Sequence, residues 1–289
     1  MVLGNTRSKF TKGFCINKPI FIIFTQKISN DPAILAYQPI RTCMSGHNKW
    51  STIKRKKGAL DAKRSKIFSK IIKDITISVK ESGPDPEHNP RLRLAISNAK
   101  GASMPKETIQ RAINKGADKD AAALMETTYE GKGPHGIAIF VDATTDNIQR
   151  TVSNVRAYFN KHGGELGKNG SLNYLFDRKG VFVIPKGELN PEDFEMEIID
   201  AGAEDIVLED DLFTIMTAME DFGNMVKKLE QLNIEPESAS LQRIPKTTET
   251  LDTDSARKVL KLIDIIEEDE DVQNVYHNLT LTDELMEEL

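Results

Sequence analysis

The residues of this chain whose types could do chemistry are few, and their spacing sorts them. Five histidines, His47, His88, His135, His162 and His277, form no i,i+4 pair and have no carboxylate at ligand spacing, so metal ligation is not expected. His135, between Gly133 and Gly136 at the start of a strand, reads as a local hydrogen-bonding group. The run Gly131-Lys132-Gly133-Pro134-His135-Gly136 fits G-x-G-x-x-G literally. A dinucleotide fingerprint needs a strand before it and a helix after it, so that pyrophosphate meets the helix N-terminus; here the predicted strand, Ile137 to Asp142, comes after. The run 163–169 (GGELGKN) resembles a phosphate loop. However, His162 stands where its first glycine belongs, and Asn169 replaces the magnesium-binding hydroxyl. A plain loop of left-handed turns and backbone contact with a phosphate of a larger partner both remain open for this run.

Nucleophilic chemistry finds no better support: there is no G-x-S-x-G elbow and no S-x-x-K pairing in a plausible cleft. The two cysteines, Cys15 and Cys43, both precede Met44, so a chain starting there would hold no thiol and no disulfide. The carboxylates Glu267, Glu268, Asp269, Glu270 and Asp271 read as a solvated acidic turn ahead of the last strand. The expectation is a non-enzymatic protein with no catalytic residue, metal or cofactor.

Charge is more informative. The net charge of −5 divides into +5 for residues 1–43, +10 for 44–123 and −20 for 124–289. Residues 44–75 alone carry ten Lys/Arg against two Asp. Such a concentration is costly self-repulsion unless an anion neutralises it, which points to a polyanionic partner. Lys49, Trp50 and the run Lys54, Arg55, Lys56 and Lys57 form a basic arm. Lys63, Lys66, Lys70 and Lys73 follow at three- and four-residue steps, with Arg64 beside them, and Arg91, Arg93, Lys106 and Arg111 add to the same surface. On a helix rising about 5.4 Å per turn, such a stripe can track a phosphate backbone. Trp50 could stack on an unpaired base or plug the helix bundle.

The elements that must position these groups follow from periodicity and caps. At roughly 150 residues per domain, 289 residues suggest two or three domains. The longest apolar run, Ile20 to Phe24, is too short to cross a bilayer, so no membrane association is expected. Ile67, Phe68, Ile71, Ile72, Ile75 and Val79 define one buried helical stripe that Gly83-Pro84 ends. Asn89-Pro90 opens a second helix, running to about Lys100, and Pro105 a third, which Gly116 closes. Beyond an alanine-rich linker, Asp118 to Leu124, the pattern becomes mixed: a strand Ile137 to Asp142, a helix Asn147 to Lys161, and a hairpin from Leu172 to Pro185 turning at Asp177 to Lys179.

Further elements run from Glu192 to Ile244, followed by a helix Asp254 to Glu267 and a strand Val272 to Leu279. The predicted fold class is α+β and multidomain. A three-helix domain over 44–123 precedes two small domains of ferredoxin-like order. The outer spans 124–187 plus 241–289, and 188–240 is inserted in it. Residues 1–43, basic and poor in acids, read as an upstream extension of a chain starting at Met44, as a mitochondrial transit peptide, or as a basic arm.

Six ordered motifs then carry a resemblance: 44–50 (MSGHNKW), 61–68 (DAKRSKIF), 89–96 (NPRLRLAI), 104–113 (MPKETIQRAI), 129–136 (YEGKGPHG) and 271–278 (DVQNVYHN). Together they closely resemble the YebC/PmpR family from Met44 to the C-terminus. The resemblance implies an N-terminal helical domain and two α+β domains, one interrupting the other. It also implies a DNA-binding transcriptional regulator acting in the bacterial cytoplasm. A translational reading stands beside it, because a mitochondrial branch activates translation and bacterial members are linked to ribosomes stalled on proline-rich stretches. In that case the partner would be ribosomal RNA. The basic positions match the family as a charged surface, so no base-reading residue is carried over.

Overall fold

The computed structural model describes residues 60–118, 123–209, 211–282 and 285, with side chains from Arg64 onward. The extension 1–43, the basic arm through Lys57 and the linker interior 119–122 lie outside them.

The chain begins with helices α1 (Leu60–Ser82), α2 (Pro90–Gly101) and α3 (Lys106–Ala117). Asn89 caps α2: its side chain accepts from Leu92 N at 3.0 Å and donates to Ser78 O at 2.6 Å, tying the start of α2 to the end of α1. The core of this unit joins Ile75 and Val79 of α1 to Leu92, Ala95 and Ala99 of α2 and to Ile109, Ala112 and Ile113 of α3. The predicted stripe is buried toward its C-terminal half, whereas Ile67 is 49% exposed. Gly116 lies one residue before the end of α3 at Ala117. It sits inside the helix, where a Cβ would come within 2.8 Å of Val79 Cβ, so its role is close helix approach.

Two four-stranded antiparallel sheets follow. The first has the order β3-β1-β2-β8, formed by β1 (Met125–Lys132), β2 (Ala138–Thr145), the two-residue β3 (Glu165–Leu166) and β8 (Val272–His277). Helices α4 (Ile148–Lys161) and α7 (Thr253–Glu268) cover one face, where Ile139 and Val141 meet Val155, Phe159, Val259 and Ile263. The alternate residues Ala138 and Phe140 face a second cluster with Leu172, Phe176 and Tyr276. Because β2 is buried on both faces, it reads in the sequence as an unbroken apolar run.

The second sheet has the order β5-β6-β4-β7, from β4 (Phe176–Pro185), β5 (Ala203–Glu209), β6 (Leu212–Ala218) and β7 (Ser238–Pro245). Helices α5 (Pro191–Ile199) and α6 (Phe222–Gln231) pack through Phe194, Ile198, Met225 and Leu229 onto Phe182, Ile184, Phe213 and Ile215. The β-α-β-β-α-β order is therefore complete within residues 176–245, rather than begun at Ile137 and closed by the last strand. Both β4 and β7 belong to this inner sheet, so it reaches beyond 188–240 at each end.

Two local expectations are corrected. Asp177 to Lys179 is not a hairpin turn: all three residues lie in β4 and pair with β7, Asp177 opposite Ile244 and Lys179 opposite Gln242. Their charges find partners outside the β4–β7 ladder: Asp177 lies 3.1 Å from Lys246, just past the end of β7, and Lys179 lies 2.5 Å from Glu204 of β5. No hairpin forms in Leu172–Pro185: Asn173–Leu175 is a short 3-10 turn that leads into β4, a single strand. Likewise, the glycine-rich run 131–136 begins inside a strand, with Gly131 and Lys132 belonging to β1. β1 was not predicted because its residues METTYEGK form no apolar run and its first half is largely exposed. The sheets meet where Arg243 of β7 lies 3.7 Å over the Phe140 ring and 3.5 Å from Asp142.

Candidate nucleic-acid interface

The cations predicted for a polyanion divide into two sets. Lys70 donates to Gln273 O at 2.6 Å. Lys73 donates to Glu270 O at 2.7 Å and Thr144 O at 3.0 Å and lies 3.3 Å from Asp271 Oδ1. Arg91 forks between Glu81, at 2.7 Å, and Glu126. Arg93 pairs with Glu230 at 3.2 Å and donates to Pro86 O at 3.1 Å. These four are the rivets that fasten the helical unit to the acidic α+β body.

The second set is presented to solvent. Arg64, Lys66, Lys106 and Arg111 are exposed. The Arg64 guanidinium donates to Ser103 O at 3.3 Å, three residues before α3 begins, and sits 5.5 Å from the Phe68 ring. That contact ties the N-terminal part of α1 to the turn that precedes α3. Arg111 is held along its own helix by Glu107 O at 3.3 Å and Thr108 Oγ1 at 3.2 Å. Among the described residues, none of the four has a carboxylate partner within 4 Å. Lys63 lies in α1 without a described side chain, and Lys49, Trp50, Lys54, Arg55, Lys56 and Lys57 lie outside the described residues.

The acidic run before β8 is not simply a solvated turn. Asp271 is 7% exposed. Its carboxylate accepts from Arg150 at 2.7 Å, Thr151 Oγ1 at 2.9 Å and Thr145 Oγ1 at 3.1 Å, besides Lys73. Partial burial pushes its carboxyl up, but Arg150, Thr151, Lys73 and Thr145 outweigh burial and hold it below the ordinary range. Asp269 accepts from Tyr158 at 2.9 Å and Asn154 at 3.2 Å. Burial and that carboxylate push the Tyr158 phenol up to about 12. Sequence reasoning missed this hub because its donors come from three distant segments. The only available signal was an Asp directly preceding a buried strand.

An open cavity of about 620 Å³ lies over this hub, lined by Lys73, Arg150, Asn154, Tyr158 and residues 268–271. Among the described residues no cluster of three or more His, Cys, Asp or Glu is placed to hold a metal, and no helix is long and apolar enough to cross a membrane. The glycine run 131–136 ends in a hairpin between two strands, with no helix at which a pyrophosphate could be received.

Comparison with known proteins decides the family. Residues 48–119 match the TACO1/YebC protein N-terminal domain, and residues 124–279 match the TACO1/YebC second and third domain. The chain belongs to the TACO1/YebC family. A relative from Amoebophilus asiaticus, named "Probable transcriptional regulatory protein", is 53% identical over 239 residues, covering 82% of this chain and 98% of the relative. One of the same name from Rubrobacter xylanophilus is 46% identical over 248 residues, covering 85% and 99%. The crystal structure of a conserved hypothetical protein from Aquifex aeolicus superposes with a TM-score of 0.73 at 43% identity, covering 81% of this chain and 98% of that one. The Amoebophilus and Rubrobacter relatives of this TACO1/YebC chain carry regulatory names, not enzymatic ones.

Proposed function

We propose that the chain is a non-enzymatic, nucleic-acid-binding regulator of gene expression that grips phosphates with the exposed cationic end of its helical unit. One observation carries this reading. Arg91, Arg93 and Lys73 are neutralised by acids, whereas Arg64, Lys66, Lys106 and Arg111 keep their charge facing solvent. The arm 49–57, rich in Lys and Arg, leads directly into the same end of α1. Phosphate contacts of this kind position a duplex without reading its sequence. The regulatory names of the bacterial relatives support duplex DNA in the cytoplasm as the target.

Promoter footprinting set against ribosome profiling in a deletion strain tests the target. Occupancy at discrete promoters supports transcriptional control. Pauses confined to proline-rich codons, with no promoter occupancy, would move the same cationic surface onto ribosomal RNA.

A further inference from the structure

The run 163–169, left open by the sequence, leads into a segment with an unusual construction. Between β3 and β4 the chain passes from one sheet to the other, and Glu130 of β1 organises the crossing. Its carboxylate, 2% exposed, accepts from Leu172 N at 2.6 Å, Gly170 N at 2.7 Å and Ser171 Oγ at 3.4 Å, while its carbonyl accepts from Gly167 N at 2.7 Å. Gly170 reaches this position with φ +86°, a conformation costly for any residue with a Cβ. Leu172 and Phe176 are then buried at 3% and 6% exposure, yet Tyr174 between them is 68% exposed, more than any other large apolar side chain described.

An anchored loop that turns an aromatic ring outward is built to present it. The sequence leading into the loop is also basic. Residues 147–176 contain Arg150, Arg156, Lys161 and Lys168 against Glu165 alone, within a body that otherwise carries a large acidic excess. Arg150 is engaged with Asp146 and Asp271, but Arg156, Lys161 and Lys168 are exposed.

We propose that Gly167–Leu175 is a second nucleic-acid contact, specific for unpaired nucleotides, where a base stacks on Tyr174 and Lys168 meets the adjoining phosphate. The inference rests on the reading of the chain as a nucleic-acid binder and adds to it a site away from the helical unit. Ring stacking is tolerant of base identity, and cations beside the ring hold the backbone. A rigid loop loses little entropy on binding, which favours such a contact.

Fluorescence anisotropy of the full chain with labelled 12-nucleotide single-stranded RNA, its DNA counterpart and the matching duplex tests the proposal. Tyr174→Ala should weaken binding to both single strands about five- to tenfold, leave duplex binding and the salt slope unchanged, and melt at the wild-type temperature. Tyr174→Phe, which keeps the ring, should bind as wild type. Lys168→Ala should flatten the single-strand salt slope by about 0.7. Unchanged single-strand affinity in Tyr174→Ala, or an equal loss on duplex and single strands, would overturn the second site while leaving the helical one intact. Failure of the wild-type chain to bind any of the three would overturn the function itself.

Discussion

Lys73 and Asp271 meet at 3.3 Å, joining the middle of the first helix to the turn before the last strand, nearly two hundred residues away. Both are largely buried, and Asp271 also receives Arg150 and two threonine hydroxyls. Removing one partner of such a cluster strands the others. Lys73→Ala or Asp271→Asn should therefore cost about 2–3 kcal/mol in denaturant unfolding. Because the folded Asp271 pKa is depressed, its contribution is present above the unfolded value near 4 and is lost as pH falls through the folded value. Urea midpoints measured between pH 2 and 7 should show an acid decline that is shallower in Asp271→Asn.

Asp74 should behave in the opposite sense. Burial raises its carboxyl to about 6; Glu126 adds to the rise, while Arg91 and Lys70 oppose it. Above pH 6 the folded state holds a charge that the unfolded chain solvates better, so this group's stability term declines between pH 4 and 6 and stays lost above. Asp74→Asn should stabilise the protein at pH 8 by on the order of 2 kcal/mol and have little effect at pH 4. Calorimetry at the two pH values reads the difference.

Asn98 of α2 acts as a strand substitute. It donates to Ala239 O at 2.9 Å and accepts from Ala239 N at 2.8 Å, pairing both backbone groups of that residue on the edge of β7. Two residues beyond, Lys100 pairs with Glu235 at 3.1 Å, and a Cβ on Gly101 would run into the carbonyl of Glu237. Asn98→Ala leaves a backbone donor and acceptor unpaired, at a cost of about 2 kcal/mol. Hydrogen exchange should show the Ala239 amide losing protection first, ahead of the β4 amides.

These contacts explain what the sequence could and could not disclose. Helix ends were legible where a local signal set them: Asn89 and Asn147 cap the helices that follow them, as their spacing predicted. β2 was legible because burial on both faces leaves an apolar run. β1 was not, since its two glutamates are fixed by partners elsewhere: Glu130 by the loop after β3, and Glu126 by Arg91. The cationic stripe was visible as a total, but its division was not. Lys66 and Lys73 look alike in a periodic pattern, and only the distant carbonyls of Thr144 and Glu270 show that Lys73 is used inside the protein. Charge composition reports how many cations a segment holds, and tertiary structure decides which remain for a partner.

That division is tested most directly by the salt dependence of duplex DNA binding, compared between two variants. Replacing Arg64, Lys66, Lys106 and Arg111 by Ala should flatten the slope of log K against log[salt] by about three to four units, at roughly 0.9 for each phosphate no longer neutralised. Replacing Arg91 and Arg93, whose charges are already met by Glu126 and Glu230, should leave the slope within about half a unit of wild type by the same coefficient. Equal slopes for the wild type and the fourfold variant, or a larger change in the Arg91 and Arg93 variant, would contradict the assignment of the exposed helical end as the phosphate-binding surface.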